Sequence, residues 1–285
     1  MTILRQKMIN EMKLRGFTKS TQDNYVMAIA RLAGFYKESP DKIGKEKVQA
    51  YLLNLYDNQK LSWGSCRAIA SAIRFFYMQV LGCEEIRLWI PPRKVEIKLP
   101  EILSKEEVEH LLSALSNLKH RTLLMTTYAG GLRVGEVVKL QAKDIDSQRM
   151  MIRITQGKGR KDRYTMLAER LLIQLRDYWK IYHPSVYLFP GMKLNQPLSR
   201  QSAHLIYHAA KIKAGITKEG GIHSLRHAFA TPMLEAGVDL RTIQLMMGHS
   251  SIRSTMRYLH VSSKHMGSIR SPLDLLDLPD GRLLQ

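Results

Sequence analysis

Residues 150–167 read MMIRITQGKGRKDRYTML, and they break the period of everything around them. Two runs rich in β-branched and aromatic residues flank a turn of Gly, Lys and Arg, the pattern of a β-hairpin. Upstream, LSKEEVEHLLSAL (103–115) opens with Ser104 and Glu107 at capping-box spacing and then repeats apolar residues at helical intervals. RTLLMTTYAGGLRVGEVVKLQ (121–141) reads as two helices broken at Gly130-Gly131. Downstream, SVYLF (185–189) suggests an edge strand, and from about residue 199 the pattern is helical again. The expected class is therefore mostly α with a small antiparallel β-sheet (α+β).

Before residue 89 no strand signal occurs. STQDNYVMAIARLAGFY (20–36), with Ser20 or Thr21 as its cap, KEKVQAYLLNLYDN (45–58) and SWGSCRAIASAIRFFYMQVLG (62–82) repeat apolar residues every three to four positions. This half reads as a bundle of about four helices, with its Met and aromatic residues in the core. Pro91, Pro92 and Pro100 forbid a helix through WIPPRKVEIKLPEIL (89–103), which reads as an extended linker. The expected organisation is thus a helical domain over 1–88, a linker over 89–103 and a second domain over 104–285.

The chain has 285 residues, 45% of them hydrophobic and 24% charged, a globular composition with room for two cores. Its imbalance is one of sign. Lys and Arg number 44 against 25 Asp and Glu, a net charge of +19. Residues 1–99 carry +8 and residues 100–285 carry +11, so both halves are suited to a polyanion such as nucleic acid. No long apolar run marks a membrane span, and the first residues lack the apolar centre of a signal peptide. Cys66 and Cys83 form no disulfide or metal framework and suit a reducing cytoplasm.

Four patterns hold residues suited to chemistry. HSLRHAF (223–229) sets His223 and Arg226 three apart, on one face of a helix. GGLRVGEVV (130–138) puts Arg133 after two glycines, with Glu136 three residues on to hold its guanidinium. QGKGRKDR (156–163) presents Lys158, Arg160 and Lys161 near a hairpin tip, without the spacing of a nucleotide-binding loop. GHSSIRSTMRYLH (248–260) places His249 nine residues before Tyr258. Taken singly, each is also compatible with ordinary solvated surface. The histidines lack metal-ligand spacing, and no carboxylate cluster is present to hold two metals.

In combination and order, AGGLRVGEV, GKGRKDR, HSLRHAFAT and LEAGVDLRTIQLMMGHSSIRSTMRYLHV resemble the tyrosine recombinase family, also called phage-type integrases. The resemblance covers about residues 100–262. MKLRGFTKSTQDNYVMAIARLAGFY (12–36) is similar to the family's core-binding domain, and IRSPLDLL (269–276) to the ends of integron-type integrases. There is no room before His223 for the helical insertion those integron enzymes carry. Pro232 stands where the family usually has His, and a proline inside a helix is expected to bend or weaken it.

The resemblance implies a site-specific recombinase that cuts and rejoins double-stranded DNA through a 3′-phosphotyrosyl link, without metal, ATP or other cofactor. It implies Tyr258 as nucleophile, Arg133 and Arg226 as a phosphate clamp, His223 and His249 as further donors, and Lys158 as the acid for the leaving 5′ oxygen. His223 is also the expected base for the phenol, and Glu136 a support for Arg133. A tail over about 266–285 is expected to dock on a neighbouring protomer, giving a tetramer on two duplexes from a chain that is monomeric when free. Lys19, Arg67 and Arg74 are the candidates for reading DNA in the first domain, with Arg160 and Lys161 contacting phosphates in the second. The location implied is the cytoplasm of a bacterium, the gene being bacterial or carried by a phage or mobile element. Two rivals share the residues: a type IB topoisomerase, which reseals a single duplex, and a catalytically inert DNA-binding relative.

Overall fold

A computed structural model describes residues 2–83, 101–155, 162–193, 195–249, 251–256 and 258. The chain divides into two compact units, Met1–Lys98 and Leu99–Gln285.

The first unit is helical: α1 (Ile3–Leu14), α2 (Lys19–Tyr36), α3 (Lys45–Asp57) and α4 (Trp63–Phe75), the last extended by a π-turn at Phe76–Val80. Met8, Met12, Leu32, Val48, Ile73 and Phe76 fill its core, each buried almost completely. The cap of α2 is Thr18, not Ser20 or Thr21. Its hydroxyl accepts from the backbone N–H of Thr21, three residues into the chain, as an N-cap requires. Residues 3–14, which carry only a faint apolar period in the sequence, form a helix because Met8 and Met12 seal the bundle.

The second unit begins with α5 (Lys105–Ser113), where Ser104 and Glu107 close the expected capping box. Helix α6 (Leu118–Ala129) is buried on more than one face: Leu123, Leu124, Thr122, Thr126 and Thr127 are all inaccessible. The three threonines lie in that interior because each hydroxyl donates to the carbonyl four residues back. The helix stops at Gly130-Gly131. Gly131 has φ +58°, and a Cβ there would lie 2.6 Å from the ring of Phe229, so only glycine fits. One further turn, α7 (Val134–Val137), follows.

The sheet has three antiparallel strands in the order β1 (Ile145–Asp146), β2 (Met151–Ile154), β3 (Arg163–Met166). Ile152 and Ile154 of β2 face the core, and Ile154 pairs with Arg163. The hairpin is thus where the sequence places it. The third strand is not. SVYLF makes a single bridge, Tyr187 to Gln141, while the extra strand comes from Ile145–Asp146. Prolines at 184 and 190 flank SVYLF and deny it further ladder bonds.

Helices α8 (Glu169–Tyr182), α9 (Arg200–Lys213), α10 (His223–Glu235), α11 (Leu240–Met247) and the short α12 (Arg253–Met256) complete the unit. Helix α10 runs through Pro232 without interruption. The missing proline N–H removes only the bond that would reach Ala228, close to the helix end. Among the described residues no helix is long and apolar enough to cross a membrane.

Candidate active site

Glu136 lies at the centre. Arg133 is the N-cap of α7 and is not helical, so Glu136 meets it across the first turn and not along a helix face as the sequence suggests. One carboxylate oxygen accepts from the Arg133 backbone N–H at 2.8 Å, and the other accepts from its guanidinium at 2.9 Å. Arg163 of β3 donates to both oxygens, each at 2.8 Å. Arg226 of α10 stands 3.9 Å away. Burial pushes the Glu136 carboxyl up. The hydrogen bonds and charge of Arg163, then those of Arg133, outweigh it and hold the group at about 2.

The same three arginines share a second anchor, the C-terminus of α11. Arg163 Nε donates to Met246 O at 2.7 Å, Arg226 Nη2 to Met247 O, and Arg133 Nη2 to Gly248 O at 2.8 Å. Three consecutive carbonyls at the negative end of a helix thus each receive a different guanidinium. Gly248 makes the approach possible. It adopts φ +62°, and a Cβ there would meet Arg163 at 2.7 Å. Arg226 also donates to Gly131 O at 2.6 Å, which ties α10 to the break after α6. Burial, then the Arg133 charge, push the Arg226 guanidinium below its ordinary value, to about 9, so it stays charged at neutral pH.

Arg133 and His223 line an open cavity of about 560 Å³. Partial desolvation of its ring, then the charges of Arg226, His204 and Arg133, hold His223 below 6.5. His249 bonds through Nδ1 to the buried Thr255 hydroxyl at 2.8 Å, and its ring is stacked 6.4 Å from that of Tyr258.

Tyr258 departs from expectation. It does not line the cavity with Arg133. It is 1% exposed, packed with Phe229, Leu234, Ile243 and Met247. Its hydroxyl lies 2.7 Å from Nδ1 of His227, not against His223. A largely apolar seat with a polar group at the hydroxyl end suits a phenol.

Sequence reasoning therefore brought Arg133, Glu136, His223, Arg226, His249 and Tyr258 to one region but missed Arg163 and His227. Arg163 ends the quoted GKGRKDR, and the pairing of β3 carries it toward Glu136. His227 lies within HSLRHAF, but nothing in its spacing points it toward Tyr258. Lys158, Arg160, Lys161 and the tail over 266–285 lie outside the described residues, as does most of the linker. In the first unit Lys19 is exposed and paired with Asp23 at 2.9 Å, while Arg67 and Arg74 stand one heptad apart on α4, Arg67 exposed and Arg74 half-buried.

Two family models match the chain: the phage integrase family over residues 101–265, and the phage integrase N-terminal SAM-like domain over residues 4–86. The chain belongs to the phage integrase family. As a tyrosine recombinase it is an enzyme of site-specific DNA recombination. It is 41% identical over 285 residues to a Sinorhizobium fredii protein named as an integrase/recombinase, covering 98% of this chain and 91% of that one. It is 34% identical over 242 residues to the tyrosine recombinase XerD of Staphylococcus saprophyticus, covering 79% and 81% of the two chains. Among solved structures, the XerA recombinase matches with 26% identity and TM-score 0.56, over 94% of this chain and 99% of that chain. XerH bound to its difH substrate shares the fold at 21% identity and TM-score 0.70, over 90% and 80%.

Proposed function

We propose that this recombinase cleaves one DNA strand at a time by attack of the Tyr258 oxygen on a backbone phosphorus. The P–O5′ bond breaks, leaving a 3′-phosphotyrosyl link and a free 5′-hydroxyl. Attack by the 5′-hydroxyl of another strand reverses the chemistry and joins the exchanged strands. The energy of the phosphodiester is retained in the link, so the balance needs neither a nucleotide nor a metal.

The observation that supports this most is the arginine cluster. Arg133 lines the cavity and Arg226 lies buried behind it, both held by fixed carbonyls and grouped around one carboxylate, an arrangement preorganised for charge developing on non-bridging oxygens. His223 and His249 add donors, Glu136 and Arg163 hold the clamp, and Lys158 protonates the leaving oxygen. A phenol titrates near 10, so Tyr258 needs a proton acceptor. His227 is closest to its hydroxyl. The buried phenol must leave its seat to reach phosphate, which keeps the DNA-free protein from cutting. Assembly as a tetramer on two duplexes, with the tail on a neighbour, supplies the occasion for that movement.

Incubating the protein with DNA flanking its own gene, then with a nicked suicide duplex built on the cleaved position, tests the reading. The expected result is a covalent adduct formed in chelator and lost in Tyr258→Phe, with binding kept. An adduct that persists in Tyr258→Phe overturns the assignment. Relaxation of plasmid without exchange between two sites would favour the topoisomerase alternative.

A further inference from the structure

The cavity beside Arg133 is far larger than one phosphate group, and its mixed polar and apolar walls carry three further cations. Besides Arg133 and His223 it is lined by Lys139, Arg153 and Arg200, with Glu136 and Asp144 as the acids. Glu136 holds Arg133 and Arg163; Asp144 accepts the Gln141 backbone N–H through Oδ2 at 3.0 Å and faces Arg153 at 3.5 Å through Oδ1, which has no hydrogen bond among the described residues. Lys139 and Arg200 make no ion pair with the described residues, and both are exposed to the cavity side.

Arg200 is seated deliberately. It opens α9, and its guanidinium lies on the backbone of Gly135, in the turn between Arg133 and Glu136. A Cβ on Gly135 would meet Arg200 Nε and Nη2 at 3.1 Å and Cζ at 3.3 Å. Gly135 does not have positive φ, so no backbone conformation requires glycine there. A helical glycine costs about 1 kcal/mol relative to alanine. What it provides is room for the planar face of Arg200, two residues from the proposed clamp. A guanidinium lying with one face on a backbone, and without an ion pair among the described residues, presents a fork of donors that matches a phosphate.

We propose that Arg200, assisted by Lys139, forms a second phosphate subsite that grips a backbone phosphodiester next to the scissile one. This rests on the reading of the cavity as the cleavage site. Its role is positioning: holding the neighbouring phosphate fixes the register of the cleaved one against Arg133 and Arg226.

The test is a binding cycle in the Tyr258→Phe background, so that it does not depend on cleavage. The probe is the duplex that the protein protects in DNA flanking its own gene, prepared with a single neutral methylphosphonate at each phosphate of the protected stretch in turn. Arg200→Gln is expected to weaken binding about tenfold to a hundredfold. It should also lower the slope of log K against log salt by about one. One methylphosphonate adjacent to the scissile position should cost the parent protein a similar factor and cost Arg200→Gln almost nothing. Lys180→Gln, on the exposed face of α8, serves as the control for general charge. Losses that simply multiply at every position, or an Arg200→Gln protein indistinguishable from the control, overturn the subsite. Failure to form an adduct with intact Tyr258 would instead remove the cleavage reading while leaving this coupling measurable.

Discussion

Replacing Glu136 by Gln removes the negative charge that lies among the guanidinium groups of Arg133, Arg163 and Arg226 while keeping the side-chain volume. The loss follows from the titration of the carboxyl. It is held at about 2 in the folded chain against 4.5 when free. That difference corresponds to about 3 kcal/mol in favour of the folded state at neutral pH. The side chain is only 8% exposed, so solvent screens little of it. Because the folded value is the lower one, this stability is complete well above 4.5 and is lost as pH falls toward 2. Urea unfolding of Glu136→Gln and its parent measures it, with Trp63 and Trp89 replaced by Phe so that Trp179 reports alone. The variant should be about 3 kcal/mol less stable at pH 7, and the gap should narrow to about 2 kcal/mol by pH 3.5. A gap below about 1 kcal/mol at pH 7, or one that does not change with pH, would refute the claim that Glu136 holds the arginines by charge.

Other outcomes follow from single contacts. Gly248→Ala forces a left-handed residue and pushes a Cβ into Arg163, so thermal unfolding should show a loss of about 1–3 kcal/mol together with slower adduct formation. Arg163→Lys keeps the charge but loses the two parallel bonds to Glu136 and the bond to Met246 O. The cleavage rate should fall at least tenfold, with DNA affinity nearly unchanged in a gel-shift titration. His223 is held below 6.5, so the acid limb of kcat/KM for suicide-duplex cleavage should lie below that value and vanish in His223→Gln. Pro232 is exposed inside α10, and Pro232→Ala should raise the urea midpoint, by up to about 3 kcal/mol of stability.

The sequence by itself determined the helices whose apolar residues recur at a regular period, the hairpin at 150–167, and the residue types of the site. Those are local properties: a period of two or of 3.6, a glycine pair, a capping serine. Helix α6 shows where locality ends. Its threonines look polar in the sequence, yet they are buried because their hydroxyls bond within their own helix. The third strand was misplaced for a related reason: Ile145–Asp146 becomes a strand only because β2 lies beside it.

Only the tertiary structure decided how the charges are held. Arg133, Arg163 and Arg226 come from a helix cap, a strand and a helix, and nothing along the chain relates them. Folding brings the carbonyls of Met246, Met247 and Gly248 to one point, where the unpaired end of α11 needs donors and the three guanidinium groups supply them. Folding likewise carried Tyr258 into an apolar seat against His227, because a side chain's polar neighbours are set by the packing of distant segments and not by spacing along the chain.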